Sequence, residues 1–182
     1  MLYRSLVKDH ARYGGRNANP LAMLLSAMRD AGFRAVALYR VGRWCRGRGL
    51  RLPAAVIERV MHHLCHCWIS TAAEIGDGFM IAHVGGLVIG GGTIIGTNCD
   101  VRQNVTFGGN FNRGDVRKKP IIGDNVSVGV GAVILGPVRV GSNSIIGANS
   151  VVTRDVPANV IVSGIPAGIL KPRWDSAAKR RL

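Results

Sequence analysis

Read from Ile122 in steps of six, the chain gives Ile122, Val128, Ile134, Val140, Ile146 and Val152, every one aliphatic and branched. The residue after each is Gly123, Gly129, Leu135, Gly141, Gly147 and Thr153, and four places after each stand Val126, Ala132, Val138, Ser144, Ser150 and Val156, all small or β-branched. The same step runs upstream through Ile89, Ile95, Val101 and Phe107, and further back through Ile69, Ile75 and Ile81, with a two-residue slip between Ile81 and Ile89. A helix wants apolar residues about every 3.6 positions and a plain strand every second one, so a sustained period of six fits neither as a continuous element. It fits a coiled chain in which each hexad is a short strand and a corner, the aliphatic residue stacking on its equivalent one coil away. The glycine that follows suits a bend where a Cβ would crowd the next coil. With three hexads to a coil, the two runs predict roughly four to five coils stacked as single units.

The pattern breaks between Gly109 and Ile122, where residues 110–121 are polar, basic and out of register. A loop leaving a rigid repeat beside a candidate site is expected to be functional. Residues 1–68 lack the period and read as a helical cap. Asn19-Pro20 starts one run, with Asn19 as its cap and Gly32 as its end; a second covers the segment FRAVALYRVGRWCRGRG; a third follows Pro53. The expected organisation is therefore a cap over 1–68, a repeat domain over 69–172 and a basic tail over 173–182.

Composition sharpens this picture. Aromatics are 5% of the chain and there are 25 glycines, which favours short strands and tight corners over a helical bundle. The formal charge is +14. Residues 1–68 carry 12 Lys/Arg against 3 Asp/Glu, a net of +9, and the remainder carries +5. That asymmetry implies either a solvated basic surface or an anionic partner for the cap. Its amphipathic, arginine-rich second helix could lie on an acidic membrane surface, or pack its apolar side against the other helices. No basic stripe interleaved with stacking aromatics appears, so no nucleic-acid partner is expected. Gly78 to Cys99 is 22 residues without a formal charge, but seven are glycine and the stretch shares the repeat, so it is not read as a membrane span. Four cysteines without a regular framework, and no secretory signal, lead to the expectation of a cytoplasmic protein, peripheral to the inner membrane face if the cap binds there. The cluster His62, His63, Cys65, His66 and Cys67 matches no standard zinc spacing, so buried packing at the cap junction is preferred to metal binding.

Chemistry points to one residue. Only His83 of the five histidines lies within the repeats, at the slip, followed by Val84 and two glycines. An imidazole on such a corner has room for a ligand and titrates where a general base is useful. The run GFMIAHVGGLVIGGGTIIGTNCDVRQNVTFGG resembles the serine acetyltransferase family, which carries a catalytic histidine, a glycine-rich strand and a closing TLGG-like turn. The later VGVGAVILG, IGANSVV and SGIPAGILKP, and AGFRAVALYRVGRW in the cap, are similar to the same family, so the likeness spans about residues 30–172. The resemblance implies a mainly β fold, a left-handed parallel β-helix of hexapeptide repeats with an N-terminal α-helical cap. That hand departs from the usual right-handed crossover. It also implies an acyltransferase using acetyl-CoA, with no metal, whose sites lie between subunits of a homotrimer. His83 would be the base. Gly108 and Gly109 would approach the pantetheine arm, Gly131 and Ala132 would line its path, and Lys171 would lie near the coenzyme phosphates.

The chain also departs from that family. Its Asp immediately before the histidine is Ala82 here, a second Asp fifteen residues earlier is Trp68, and its Arg-His-Pro is matched by Lys118-Lys119-Pro120. With its short cap the chain resembles the O-acetyltransferases of exopolysaccharide assembly, including the colanic acid type, and that resemblance, with both carboxylates gone and two lysines present, implies a saccharide hydroxyl as acceptor, anionic or phosphate-linked and held by Lys118 and Lys119. The alternative is serine; an alternative of another class is a non-catalytic scaffold or membrane-surface module. A carbonic anhydrase of the same coil is disfavoured, since that zinc site needs three histidines.

Overall fold

The computed structural model describes residues 2–15, 19–109 and 119–173. Four helices come first: α1 (Leu2–Arg12), α2 (Pro20–Arg29), α3 (Ala31–Gly47) and α4 (Arg51–Cys65). Fifteen short strands follow, from β1 (Cys67–Ile69) to β15 (Ala167–Pro172). They form three sheets ordered β1-β4-β7-β10-β13, β11-β8-β5-β2 and β15-β14-β12-β9-β6-β3. All pairings are parallel except that of β14 (Val160–Gly164) with β15. Each turn of chain thus lays one strand on each of three faces.

The registers are those the six-residue period requires. Ile69 pairs with Ile89, Ile89 with Phe107, Phe107 with Ile134 and Ile134 with Val152, and all five are buried. The small residues at the fourth following place are buried as well, Ser144 and Ser150 included. Glycines after the aliphatic positions stand where coils touch: a Cβ on Gly96 would lie 2.7 Å from the Gly123 carbonyl carbon. The left-handed corner conformation is shared between glycines such as Gly78, Gly92 and Gly131 and asparagines, with positive φ at Asn98, Asn104, Asn125, Asn143, Asn149 and Asn159. Asparagine tolerates that region better than other side chains, and these corners cross-link, Asn125 Nδ2 donating to Asn143 Oδ1 and Asn143 Nδ2 to Asn159 Oδ1 at 3.1 Å each.

The cap differs from the sequence reading in its divisions. Residues 2–12 form a helix of their own. Asp30, not Gly32, divides the next two: its backbone N–H closes α2 and its carboxylate accepts from Phe33 N at 2.9 Å to open α3. Gly32 is buried inside α3, where a Cβ would collide with the carbonyl oxygen of Ile81. At the junction Cys65 and Cys67 face the core, while His62, His63 and His66 face solvent. The cluster is therefore split between two sides of the chain. Among the described residues no three His, Cys, Asp or Glu side chains are grouped to hold a metal ion.

Candidate active site

His83 sits in the turn between β3 (Met80–Ile81) and β4 (Leu87–Ile89). Ile81 to Ile89 is where the sequence slips by two residues, and the extra length makes a projecting corner. Gly85 (φ 115°) and Gly86 (φ 62°) take backbone angles that side chains resist, and Gly86 N donates to His66 O at 2.9 Å. The imidazole is exposed, and among the described residues it has no hydrogen-bond partner.

The strand that carries it is held from the cap. Tyr13 Oη accepts from Ile81 N at 2.7 Å and donates to Ile81 O at 3.2 Å. Burial is the first cause that raises the Tyr13 phenol above its usual range, so it stays a donor. Asp9, fully buried, accepts from Gly78 N and Phe79 N at 2.8 and 2.9 Å and pairs with Arg40 Nε at 2.7 Å. Arg40 in turn donates to the carbonyls of Ile75 and Gly76. Two helices and the first coil thus meet on one buried ion pair. Nothing local in the chain signals the contacts of Asp9 and Tyr13 with β3 and the turn before it, which join residues 68 to 70 positions apart.

One coil beyond His83 lies Gln103, two places past Val101 as His83 is two past Ile81. The turns stack by backbone bonds: Asn104 N to Gly85 O, Gly131 N to Gln103 O and Asn149 N to Val130 O. His83, Gln103 and Gly131 therefore share one edge of the prism, at about 4.8 Å per coil. The Oε1 of Gln103 is buried and has no hydrogen-bond partner among the described residues. That makes it a candidate acceptor beside the base, and a count of residues from His83 to the next coil would have found it.

The other expected residues are not all brought together. Gly131 lies on the His83 edge with φ 67°, at the place that Asn104 and Asn149 take one coil to either side. Ala132 is fully buried, its N bonded to Gly129 O and its O to Thr106 N. Its side chain faces the core and cannot line a ligand path, which corrects the expectation. Gly108 and Gly109 end β7 (Thr106–Gly109) at the next edge. Their pairing with β10 (Val133–Gly136) continues through both glycines, but the ladder with β4 stops at Phe107. Lys119 lies on that edge too, its Nζ 3.8 Å from where a Gly90 Cβ would be and its Cγ 3.5 Å from one on Gly92. Lys118 falls outside the described residues. Lys171 is exposed on β15, five strand places from β3 in its sheet, or about 24 Å at the usual strand spacing. Within one chain, His83 and Lys119 occupy different edges of the solenoid.

The fold is a coil of hexapeptide repeats that carries an exposed imidazole on a glycine-bounded corner. Residues 119–154 match the family model described as bacterial transferase hexapeptide (six repeats). A serine acetyltransferase of Synechococcus elongatus is 40% identical over 143 residues, 76% of this chain and 57% of that protein. One from Escherichia coli is 38% identical over 145 residues, 79% of this chain and 53% of that protein. The crystal structure of the Neisseria gonorrhoeae serine acetyltransferase superposes with a TM-score of 0.84 at 31% identity, covering 97% of this chain and 69% of that one. A serine acetyltransferase from Brucella abortus solved in complex with coenzyme A superposes at 0.80 and 30% identity, covering 94% and 67%. The chain belongs to the serine acetyltransferase family, with the left-handed, capped parallel β-helix that the resemblance implied. It spans about half the length of the curated relatives it matches.

These relatives overturn the expectation of a saccharide acceptor. That expectation read the loss of two carboxylates as a change of substrate, although the likeness runs through the cap and every coil. The structure shows why the inference was too strong. Trp68 is 47% exposed on β1 and packs against the cap, 5.7 Å from the His62 ring and 5.9 Å from the Arg59 guanidinium. Two substitutions at partly exposed positions alter a rim and leave the frame intact.

Proposed function

We propose that this chain is an acetyl-CoA-dependent serine O-acetyltransferase that works as a homotrimer. The observation that carries the reading is the likeness to serine acetyltransferases over 97% of the chain at a TM-score of 0.84, with an exposed histidine on the glycine-bounded corner. His83 takes the proton of the serine hydroxyl as its oxygen attacks the thioester carbonyl. The C–S bond breaks, the thiolate leaves with the proton from the imidazolium, and the products are an acetyl ester and free thiol. Backbone N–H groups steady the oxyanion.

The coenzyme runs from the His83 edge toward the β15 end. Gly108 and Gly109, open on the β4 side of their strand, receive the pantetheine amides, and Lys171 meets the phosphates. Lys119, with Lys118 beside it in sequence, holds the serine carboxylate. Because His83 and Lys119 stand on different edges, one copy supplies the base and its neighbour the lysine wall, which is what makes the trimer necessary. Serine-dependent thiol release from acetyl-CoA, with mass detection of the acetylated product, tests the reading. Absence of product at saturating serine and coenzyme would overturn it.

A further inference from the structure

The surface of the cap has a property the proposed chemistry does not use. Its three acidic residues are all engaged: buried Asp9 binds Arg40 and two backbone N–H groups, exposed Asp30 caps α3, and Glu58 accepts from Thr71 N and Oγ1. Arg29, Arg46, Arg48, Arg51 and Arg59 have no carboxylate partner among the described residues. Beside them runs a groove of about 430 Å³ between α2 and α3, lined by Leu24, Ala27, Met28, Arg34, Leu38 and Val41 among others. Leu24 and Met28 on its rim are 59% and 62% exposed, and Trp44 continues the same side of α3. Trp44 carries the Arg48 guanidinium over its ring at 4.8 Å.

Apolar side chains at such exposure, set among unpaired arginines, fit a surface that is apolar beneath and anionic on top. We propose that the α2–α3 face of the cap docks on an anionic phospholipid membrane. Leu24, Met28 and Trp44 enter the boundary between headgroups and acyl chains, and Arg29, Arg48 and Arg51 meet the lipid phosphates. A second copy of the chain is the less suitable occupant, because two such faces would bring arginines together with no carboxylate between them. No helix among the described residues is long and apolar enough to cross a membrane, so the contact is one of lying on the surface.

Co-sedimentation of the full chain with vesicles tests this independently of acetyl transfer. The protein should pellet with vesicles of phosphatidylcholine mixed with phosphatidylglycerol, remain in solution with phosphatidylcholine alone, and come off at high salt. The triple variant Arg29→Gln/Arg48→Gln/Arg51→Gln should lose on the order of 10²-fold in vesicle affinity, since each cation near an anionic leaflet contributes about fivefold. Leu24→Ser/Met28→Ser should also abolish pelleting. Both variants should keep the parent's circular dichroism and mass in solution, because every altered side chain is exposed. Failure of the parent to pellet with anionic vesicles overturns the proposal, as does equal binding to both vesicle types. If Leu24→Ser/Met28→Ser instead lowers the mass in solution, a second copy covers the face and the membrane assignment is wrong.

Discussion

Among the described residues no carboxylate is bonded to His83, and on the proposed reading adding one beside it should be visible in the kinetics. Ala82 precedes His83 and is partly buried at the end of β3, with its N–H bound to Val101 O at 3.0 Å. By register its neighbour one coil on is Arg102, whose guanidinium is exposed and 3.5 Å from Asp100. The field beside His83 is thus neutral to positive, which is unfavourable for the ammonium of serine. In the variant Ala82→Asp a carboxylate about 4 Å from that ammonium would gain about 4 kcal/mol at an effective dielectric of 20, and about 1 kcal/mol in water. Exposure and competition from Arg102 move the gain toward the lower figure, so about 1–2 kcal/mol is expected. That is a fall in the KM for serine of about 5- to 30-fold. Because the ammonium is remote from the reacting atoms, kcat should change little, as for any interaction shared by ground and transition states. Thiol release measured against serine, and against 3-hydroxypropionate as a hydroxy acid without the ammonium, separates the effect from general repair of the site. Only serine should improve. A serine KM unmoved in a folded variant with normal coenzyme KM would show that the ammonium is not read beside residue 82, and the mapping of the acceptor pocket would fail.

His83→Ala should lower kcat by a factor on the order of 10²–10⁴ while leaving the trimer and coenzyme affinity intact, as judged by turnover and isothermal titration. Lys171→Ala should raise the coenzyme KM with little change in kcat at saturation. Asp9→Ala should destabilise the cap by about 3–5 kcal/mol in denaturant unfolding, since it leaves Arg40 buried without its anion and frees two backbone N–H groups. The Asp77 carboxyl is held below its usual value by the Ser5 hydroxyl at 2.6 Å and the Lys8 ammonium at 2.9 Å. Its contribution is therefore complete above the unfolded value of 3.8 and fades as pH falls through the lower folded value. The loss is modest at this exposed site, and Asp77→Asn should remove it from acid melting curves.

The coil was legible because its period is enforced by contact. Interior positions such as Ile89 and Ile134 pair with the equivalent position of two neighbouring coils, so each must stay a large apolar residue, as Phe107 between them does. The place of His83 was legible for the same reason, since a slip of two residues in so strict a period must be a projection. The corner asparagines carried no expectation, because the six-residue step marks the aliphatic place and the two small ones, and the left-handed corners are shared between asparagine and glycine. Ala132 was misplaced because a motif shared with relatives does not say which way a side chain faces, whereas its position four after Val128 puts it in the core. The α1 helix and its Asp9 gave no periodic signal, being amphipathic over only three turns and bonded to residues far along the chain.

The cap, by these contacts, holds the strand that leads to His83 as well as closing an open core. β3 is the terminal strand of its sheet and has a strand neighbour on one side only. Its other side would expose unpaired backbone groups at the point where the base must be held. Tyr13 satisfies both the N–H and the carbonyl of Ile81, Asp9 takes the N–H groups of Gly78 and Phe79, and Arg12 donates to the carbonyl of Gly78 at 3.2 Å. Two side chains of α1 and that of Tyr13, which follows it, therefore do for β3 what another coil would do. Tyr13→Phe removes one hydroxyl beneath the strand and nothing at the ligand surface. If α1 positions His83, that change should lower kcat several-fold with substrate KM values nearly unchanged. If α1 only closes the core, Tyr13→Phe should lower the melting temperature and leave kcat at the parent value.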